Sequence, residues 1–271
     1  MSALAAHYTG SGLVSAVTEA LEREGLGAGT LAIDDVGAIA EFHTAGRAAT
    51  LALADAAGLR EGMRVLDAGC GAGGPALVLA SQYGCSVTGV DLTPEFCRIA
   101  ELLAERTALS DRVTIVEANV LELPFEDASF DAVWTMHVQM NVEDKPRLYG
   151  ELRRVLVPGG TLAFWDIVRG DNREPLTFPV PWASDAGQSF VAGYDELREH
   201  VRAAGFEERL AEDGTDEAHA FMAMMEERFA DGPPPLAVHL IVPNAPAKLA
   251  GFSENLRAGK LRLLRAVYTA V

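Results

Sequence analysis

The chain has 271 residues, 49% of them hydrophobic, which suits one full domain with additions and a sizeable core. Its formal net charge of −17, uninterrupted by any basic cluster, argues against DNA, RNA and anionic membrane surfaces as partners and leaves small molecules. No apolar run approaches the roughly 18 residues of a membrane span, no basic-then-apolar leader opens the chain, and three cysteines without metal-ligand spacing (Cys70, Cys85, Cys97) fit reduced thiols in a cytoplasmic protein.

In chain order, Leu13, Val14, Val17 and Leu21 recur at helical spacing and Gly25 offers a stop. A second helix is expected from Ile39 to Ala57, with Phe42, Ala49 and Leu53 on one side. These elements make residues 1–58 an expected helical lid before a domain at 59–271. Strands are expected at Arg64–Ala68, Ser86–Asp91, Val113–Glu117, Phe130–Met136 and Gly160–Val168, with helices at Pro75–Tyr83, Pro94–Ala108 and Lys145–Val155. Such alternation predicts a parallel sheet covered by helices on both faces, with right-handed crossovers. Val157-Pro158-Gly159-Gly160 reads as a turn between helix and strand. Pro175, Pro179 and Pro181 favour an extended connection. Beyond it lie a helix at Tyr194–Ala204 and a strand at Phe206–Leu210. An inserted cap at about 215–258 follows, with helices at Glu217–Phe229 and Leu249–Leu256 separated by Pro233-Pro234-Pro235, and then a last strand at Lys260–Ala270.

The richest stretch is Val65-Leu66-Asp67-Ala68-Gly69-Cys70-Gly71-Ala72-Gly73-Gly74, a buried strand running through glycines into a helix. Glycines let backbone approach a ligand, and a helix start presents free N–H groups. Gly69-x-Gly71-x-x-Gly74 also meets the dinucleotide pattern. A pyrophosphate would sit badly beside Asp67, whereas an adenine nucleoside with a cationic amino-acid tail, S-adenosylmethionine, suits it. Asp91, twenty residues after Gly71, is placed either to accept ribose hydroxyls or to start the helix at Pro94. At the end of the third strand Asn119 offers an amide to a base edge or a simple turn, and Val120 offers an apolar face.

These segments, with Gly-Val-Asp-Leu, Ala-Asn-Val-Leu-Glu-Leu-Pro-Phe, Ser-Phe-Asp-Ala-Val-Trp and Arg-Arg-Val-Leu-Val-Pro-Gly-Gly in order, resemble class I S-adenosylmethionine-dependent methyltransferases over about residues 40–168. The resemblance implies a doubly wound, Rossmann-like α/β fold with seven mostly parallel strands, the last antiparallel, plus N-terminal helices and a helical cap. It implies S-adenosylmethionine as cofactor and S-adenosylhomocysteine as product. Asp67, Gly69, Cys70 and Gly71 would surround the methionine moiety, Asp91 and Leu92 ribose and adenine, Asn119 and Val120 the other side of the base, and Met136 the strand end beside it. Asn119 departs from the usual Asp but keeps an accepting oxygen. Glu41-Phe42-His43-Thr44-Ala45-Gly46-Arg47 resembles a lid segment of related small-molecule enzymes. In it Arg47 would pair with the cofactor carboxylate and His43 would face the methyl pocket; the alternatives are a solvated arginine and a packing histidine.

Met136-His137-Val138-Gln139-Met140-Asn141-Val142 closes the fourth strand, where open sheets form their crevices. It resembles the His-x-x-Met-Asn-Val loop of glycine, sarcosine and dimethylglycine N-methyltransferases, which points to an amine nitrogen as acceptor. His137 and Asp166 are the candidate proton acceptors. Gln139, Asn141, Trp182 and His239 are candidate acceptor contacts, Trp182 through cation–π attraction. A structural histidine and a loop-packing tryptophan are the competing readings, and Met222, Met224 and Met225 read as core or pocket wall. Transfer to oxygen, carbon or aromatic nitrogen shares the whole cofactor half and stays open. A nicotinamide oxidoreductase and a binding-only cofactor sensor are the alternatives from other classes. Monomer and homodimer are both compatible with the sequence.

Overall fold

A computed structural model describes residues 12–41, 43–230, 232 and 234–271, so Phe42 and Pro233 fall outside the described residues. The chain folds as α1 (Leu13–Arg23), α2 (Ile33–Ala40), α3 (Gly46–Ala57), β1 (Arg64–Ala68), α4 (Gly74–Tyr83), β2 (Ser86–Asp91), α5 (Pro94–Arg106), β3 (Val113–Glu117), β4 (Phe130–Met136), α6 (Lys145–Val155), β5 (Leu156–Arg169), α7 (Tyr194–Ala203), β6 (Phe206–Asp213), α8 (Thr215–Arg228), α9 (Ala245–Arg257) and β7 (Leu261–Ala270). The seven strands form one sheet in the order β3-β2-β1-β4-β5-β7-β6. β7 runs antiparallel to both its neighbours, β5 and β6, and the β1 to β5 pairings are parallel. The expected doubly wound α/β architecture is therefore the observed one. Among the described residues no helix is long and apolar enough to cross a membrane.

The central strands bury both faces, and their side chains alternate between two cores. Val65, Trp134 and Trp165 enter one core, with α1 to α5 and the α8–α9 region packed on it. Leu66, Val133 and Phe164 enter the other, covered by Leu148 and Leu152 of α6 and Leu197 and Val201 of α7. Strand order reverses between β1 and β4, which opens the crevice at the strands' C-terminal ends.

Two local expectations are corrected. The single helix expected over Ile39–Ala57 is two helices, α2 ending at Ala40 and α3 beginning at Gly46. Ala45 and Gly46 take positive φ, 63° and 47°, which a continuous right-handed helix cannot contain. Trp165 Nε1 donates to the Thr44 carbonyl at 2.9 Å and pins this break to the sheet. Likewise, Val157-Pro158-Gly159-Gly160 does not end before the strand. Phe130 pairs with Leu156 and Ala132 with Thr161, so the Pro-Gly-Gly run is an irregularity inside β5.

The start of α4 presses on the end of α2: a Cβ on Gly74 would lie 2.5 Å from the Ala40 carbonyl oxygen. Replacing Gly74 by Ala should therefore destabilise the protein by about 1–3 kcal/mol, the usual range for overpacking. Chemical denaturation measures this, and an unchanged midpoint would contradict the packing.

Candidate functional site

Two chambers open at the C-terminal edge of the sheet. The first, about 420 Å³, is bordered by Gly69, Cys70 and Gly71 of the loop after β1, Asp91 and Leu92 after β2, Asn119 and Val120 after β3, and Met136 and Asn141 around the end of β4. The second, about 390 Å³, is mainly apolar, with Met140, Ile167, Trp182, Phe221, Met222 and Phe252 among its walls. His43 and His137 border both.

In the first chamber the glycine loop is fixed by its neighbours. Asp91 accepts the Gly71 N–H at 2.9 Å on one carboxylate oxygen and the Thr93 N–H at 2.8 Å on the other. The carboxylate still borders the chamber with lone pairs to spare for a pair of hydroxyls. Gly69 has φ of +84°, and a Cβ there would lie 2.5 Å from Val138 Cγ2, so only glycine fits under the turn after β4. Asn119 stands at the rim, where its side-chain oxygen accepts the Leu121 N–H at 3.0 Å.

Asp67 is placed differently from the sequence expectation. It is 1% exposed and does not border the first chamber. It accepts the Ala76 N–H, and its Oδ2 has no hydrogen-bond partner. Burial first, and then the charge of Asp91, push its pKa up to about 8. Arg47 is also displaced from its expected role. It borders the second chamber, where Nε meets Glu41 at 2.5 Å, a second nitrogen meets Asp34 at 2.9 Å, and a third bond reaches the Ile33 carbonyl. Its guanidinium is thus occupied by acids on its own side of the junction.

Asp166, expected as a proton acceptor, borders neither chamber. It accepts backbone N–H bonds from Val138 (3.1 Å), Gln139 (3.0 Å) and Ile167 (2.9 Å). Burial nevertheless raises its pKa to about 6, against the lowering effect of those bonds and of the Lys145 charge. Gln139 is likewise structural: it is 1% exposed and donates to the Ile167 carbonyl. His239 also borders neither chamber; its neighbour Val238 faces the second one instead. Trp182 does wall the second chamber, held by a 2.9 Å bond to Ser189 and an edge-on contact with Phe252 at 5.9 Å. Asn141 borders the first chamber and not the second.

Sequence reasoning missed Lys145, Glu41 and Thr50. Lys145, 4% exposed, donates to the carbonyls of Gln139 (2.7 Å), Val142 and Phe190 (2.8 Å), and burial lowers its pKa to about 8. The first residue of a helix, next to a proline, gave no sign of burial. Thr50 bonds His43 Nε2 at 3.1 Å and Glu41 Oε2 at 3.3 Å. Both histidines are neutral: burial drives His43 down to about 4 and His137 well below its usual value. Their rings meet edge to face with centroids 6.4 Å apart.

Residues 66–164 match the family model described as a methyltransferase domain. The chain is 34% identical over 173 residues to 27-O-demethylrifamycin SV methyltransferase of Amycolatopsis mediterranei, covering 63% of this chain and 64% of that protein. It spans less than two thirds of the length of the curated relatives it matches. Geranyl diphosphate C-methyltransferase from Streptomyces coelicolor A3(2), solved with Mg2+, geranyl diphosphate and S-adenosyl-L-homocysteine, superimposes with a TM-score of 0.68 at 21% identity, covering 83% of this chain and 78% of that one. The [4+2]-cyclase SpnF superimposes with a TM-score of 0.65 at 27% identity, over 82% and 79% of the two chains.

The raised pKa of Asp67 has a stability consequence with a definite sign. The unfolded group ionises near the ordinary carboxyl value of 3.8 and the folded one near 8, so the folded state holds an extra proton between them. This contribution is complete below about pH 4 and is lost as pH rises to about 8. Asp67→Asn should therefore gain stability relative to the parent across that window, read from denaturation midpoints at several pH values. A difference independent of pH would contradict the buried, underpaired carboxyl.

Proposed function

We propose that the chain transfers a methyl group from S-adenosylmethionine, held in the first chamber, to a small-molecule acceptor held in the second. The observation that carries this reading is the meeting of a glycine-loop chamber and an apolar chamber at His43 and His137. Asp91 and Leu92 hold ribose and adenine, Val120 covers the base, and Gly69, Cys70 and Gly71 present backbone to the amino-acid tail. Asp67 acts from beneath that loop, where the positive charge of a bound tail would favour its ionised form. When bound, the cofactor supplies an electrophilic methyl group on a positively charged sulfur, so no covalent enzyme intermediate is required. The protein's share is orientation and exclusion of water. The methyltransferase-domain match over residues 66–164 supports the same half of the site.

The second chamber narrows the acceptor. Its volume and its methionine and aromatic walls fit an apolar body, and its acids Glu41 and Asp34 are engaged by Arg47. A small zwitterion of the sarcosine or dimethylglycine kind leaves most of that space unfilled. A nucleophilic hydroxyl or amine carried on a larger apolar molecule matches it better, with Trp182 offering an aromatic face to a cationic amine. The rifamycin and geranyl diphosphate enzymes are named for an oxygen and a carbon methylation, so the position methylated is assigned to the second chamber. The cyclase among the structural neighbours makes turnover, and not binding alone, the required test.

Calorimetry should show S-adenosylmethionine and S-adenosylhomocysteine binding while NAD does not. Asp91→Ala should weaken both by about 1.5–3 kcal/mol, the range for hydrogen bonds to a charged group. Tight NAD binding, or an unaffected Asp91→Ala variant, would overturn the cofactor assignment. Met222, 3% exposed in the wall of the second chamber, offers the complementary test. Met222→Trp should block methylation of apolar acceptors, followed by mass gain, while cofactor affinity stays within about twofold. Equal loss of both would mean that the two chambers are not separate sites.

A further inference from the structure

We infer that His43, and not His137, takes the proton that leaves the acceptor, with the Gly46 carbonyl fixing its tautomer and Thr50 and Glu41 as positioning residues. The inference rests on the methyl-transfer reading above. A carbonyl can only accept, so the 3.0 Å contact between His43 Nε2 and the Gly46 oxygen requires a hydrogen on Nε2. Thr50 Oγ1, 3.1 Å from the same nitrogen, shares that hydrogen and turns its own O–H to Glu41 Oε2 at 3.3 Å. In the neutral ring Nδ1 is then bare. It has no hydrogen-bond partner among the described residues, and the residue is 6% exposed while bordering both chambers.

The break between α2 and α3 makes this arrangement. Left-handed backbone at Ala45 and Gly46 turns the Gly46 carbonyl back onto the histidine three residues earlier. His137 lacks such wiring. Among the described residues no group bonds its ring, and its Nε2 is sealed from solvent without a partner. A ring that is free to hold its hydrogen on either nitrogen presents no defined lone pair.

The step balances as follows. A lone pair on the acceptor's oxygen or nitrogen forms the bond to the methyl carbon, and the carbon–sulfur bond breaks with its electron pair going to sulfur. The acceptor's O–H or N–H bond breaks, its pair stays on the heteroatom, and the proton goes to Nδ1 of His43. The resulting imidazolium donates through Nε2 to Gly46 and Thr50, with the Glu41 carboxylate one hydroxyl away. The proton passes to solvent when product leaves.

The test uses the full chain saturated with S-adenosylhomocysteine and reads its histidine side chains by 15N correlation spectroscopy, with His43→Gln identifying the His43 signals. The expected result is a neutral His43 with its hydrogen on Nε2, retained in Thr50→Val because the Gly46 carbonyl still requires it. Hydrogen on Nδ1 overturns the inference. Methyl transfer from S-adenosylmethionine to 4-alkylphenol and 4-alkylaniline probes supplies the second reading. His43→Gln should lower kcat by about 100-fold or more, the usual contribution of a proton acceptor, with acceptor KM and cofactor Kd within about threefold. His137→Gln should cost less than about tenfold in kcat. The reverse ranking overturns the inference. If no probe is methylated the spectrum decides alone, and failure of the parent to bind S-adenosylmethionine removes the methyl-transfer reading itself.

Discussion

Asp166 is the constraint on which the rest of the site depends. A buried carboxyl at the end of β5 accepts N–H bonds from Val138, Gln139 and Ile167, and Lys145 grips the same loop through the carbonyls of Gln139 and Val142. Donors are drawn to one anchor and acceptors to the other, so the chain after β4 is held from both sides. Burying two ionised groups is costly unless their bonding capacity is filled, and both are filled here by backbone. The held loop places His137 at the chamber junction and Val138 over Gly69, where no side chain larger than hydrogen is tolerated. The geometry of the first chamber thus follows from a residue that does not touch it.

The two chambers come from different parts of the chain. Strand ends from β1 to β4 build the first, within the segment that matches the methyltransferase-domain model. Residues 34–47 and the helices around 221–252 supply most of the second, outside that segment. The junction draws one histidine from each source. On the proposed reading a methyl donor and an acceptor must be collinear and dry when they meet, and the wall that the two chambers share is where they would meet.

The sequence was informative where structure is local. β1, β2, β3 and β4 and helix α6 begin and end where periodicity, glycine and proline place them, because a buried parallel strand and an amphipathic helix carry their signal in adjacent residues. The chamber-lining positions Gly69, Gly71, Asp91, Leu92, Val120 and Met136 were legible for the same reason, since each closes or follows a strand. Roles set by distant partners were not legible. Nothing near Asp166 announces that three N–H groups will claim it, and nothing near Lys145 announces a buried ammonium. Residues 39–57 have helical composition throughout, and the break between α2 and α3 is bonded to Trp165, more than a hundred residues later. Arg47 illustrates the same limit: its acids, Glu41 and Asp34, face it only because the helix is broken.

A crystal structure of the chain grown with S-adenosylhomocysteine tests the central claim most directly. On this account the ribose hydroxyls lie on Asp91, the amino-acid tail lies along Gly69 to Gly71, and the sulfur points through the junction between His43 and His137 into the apolar chamber. A ligand whose sulfur faces away from that junction, or a first chamber that admits a dinucleotide and refuses S-adenosylhomocysteine, would contradict it.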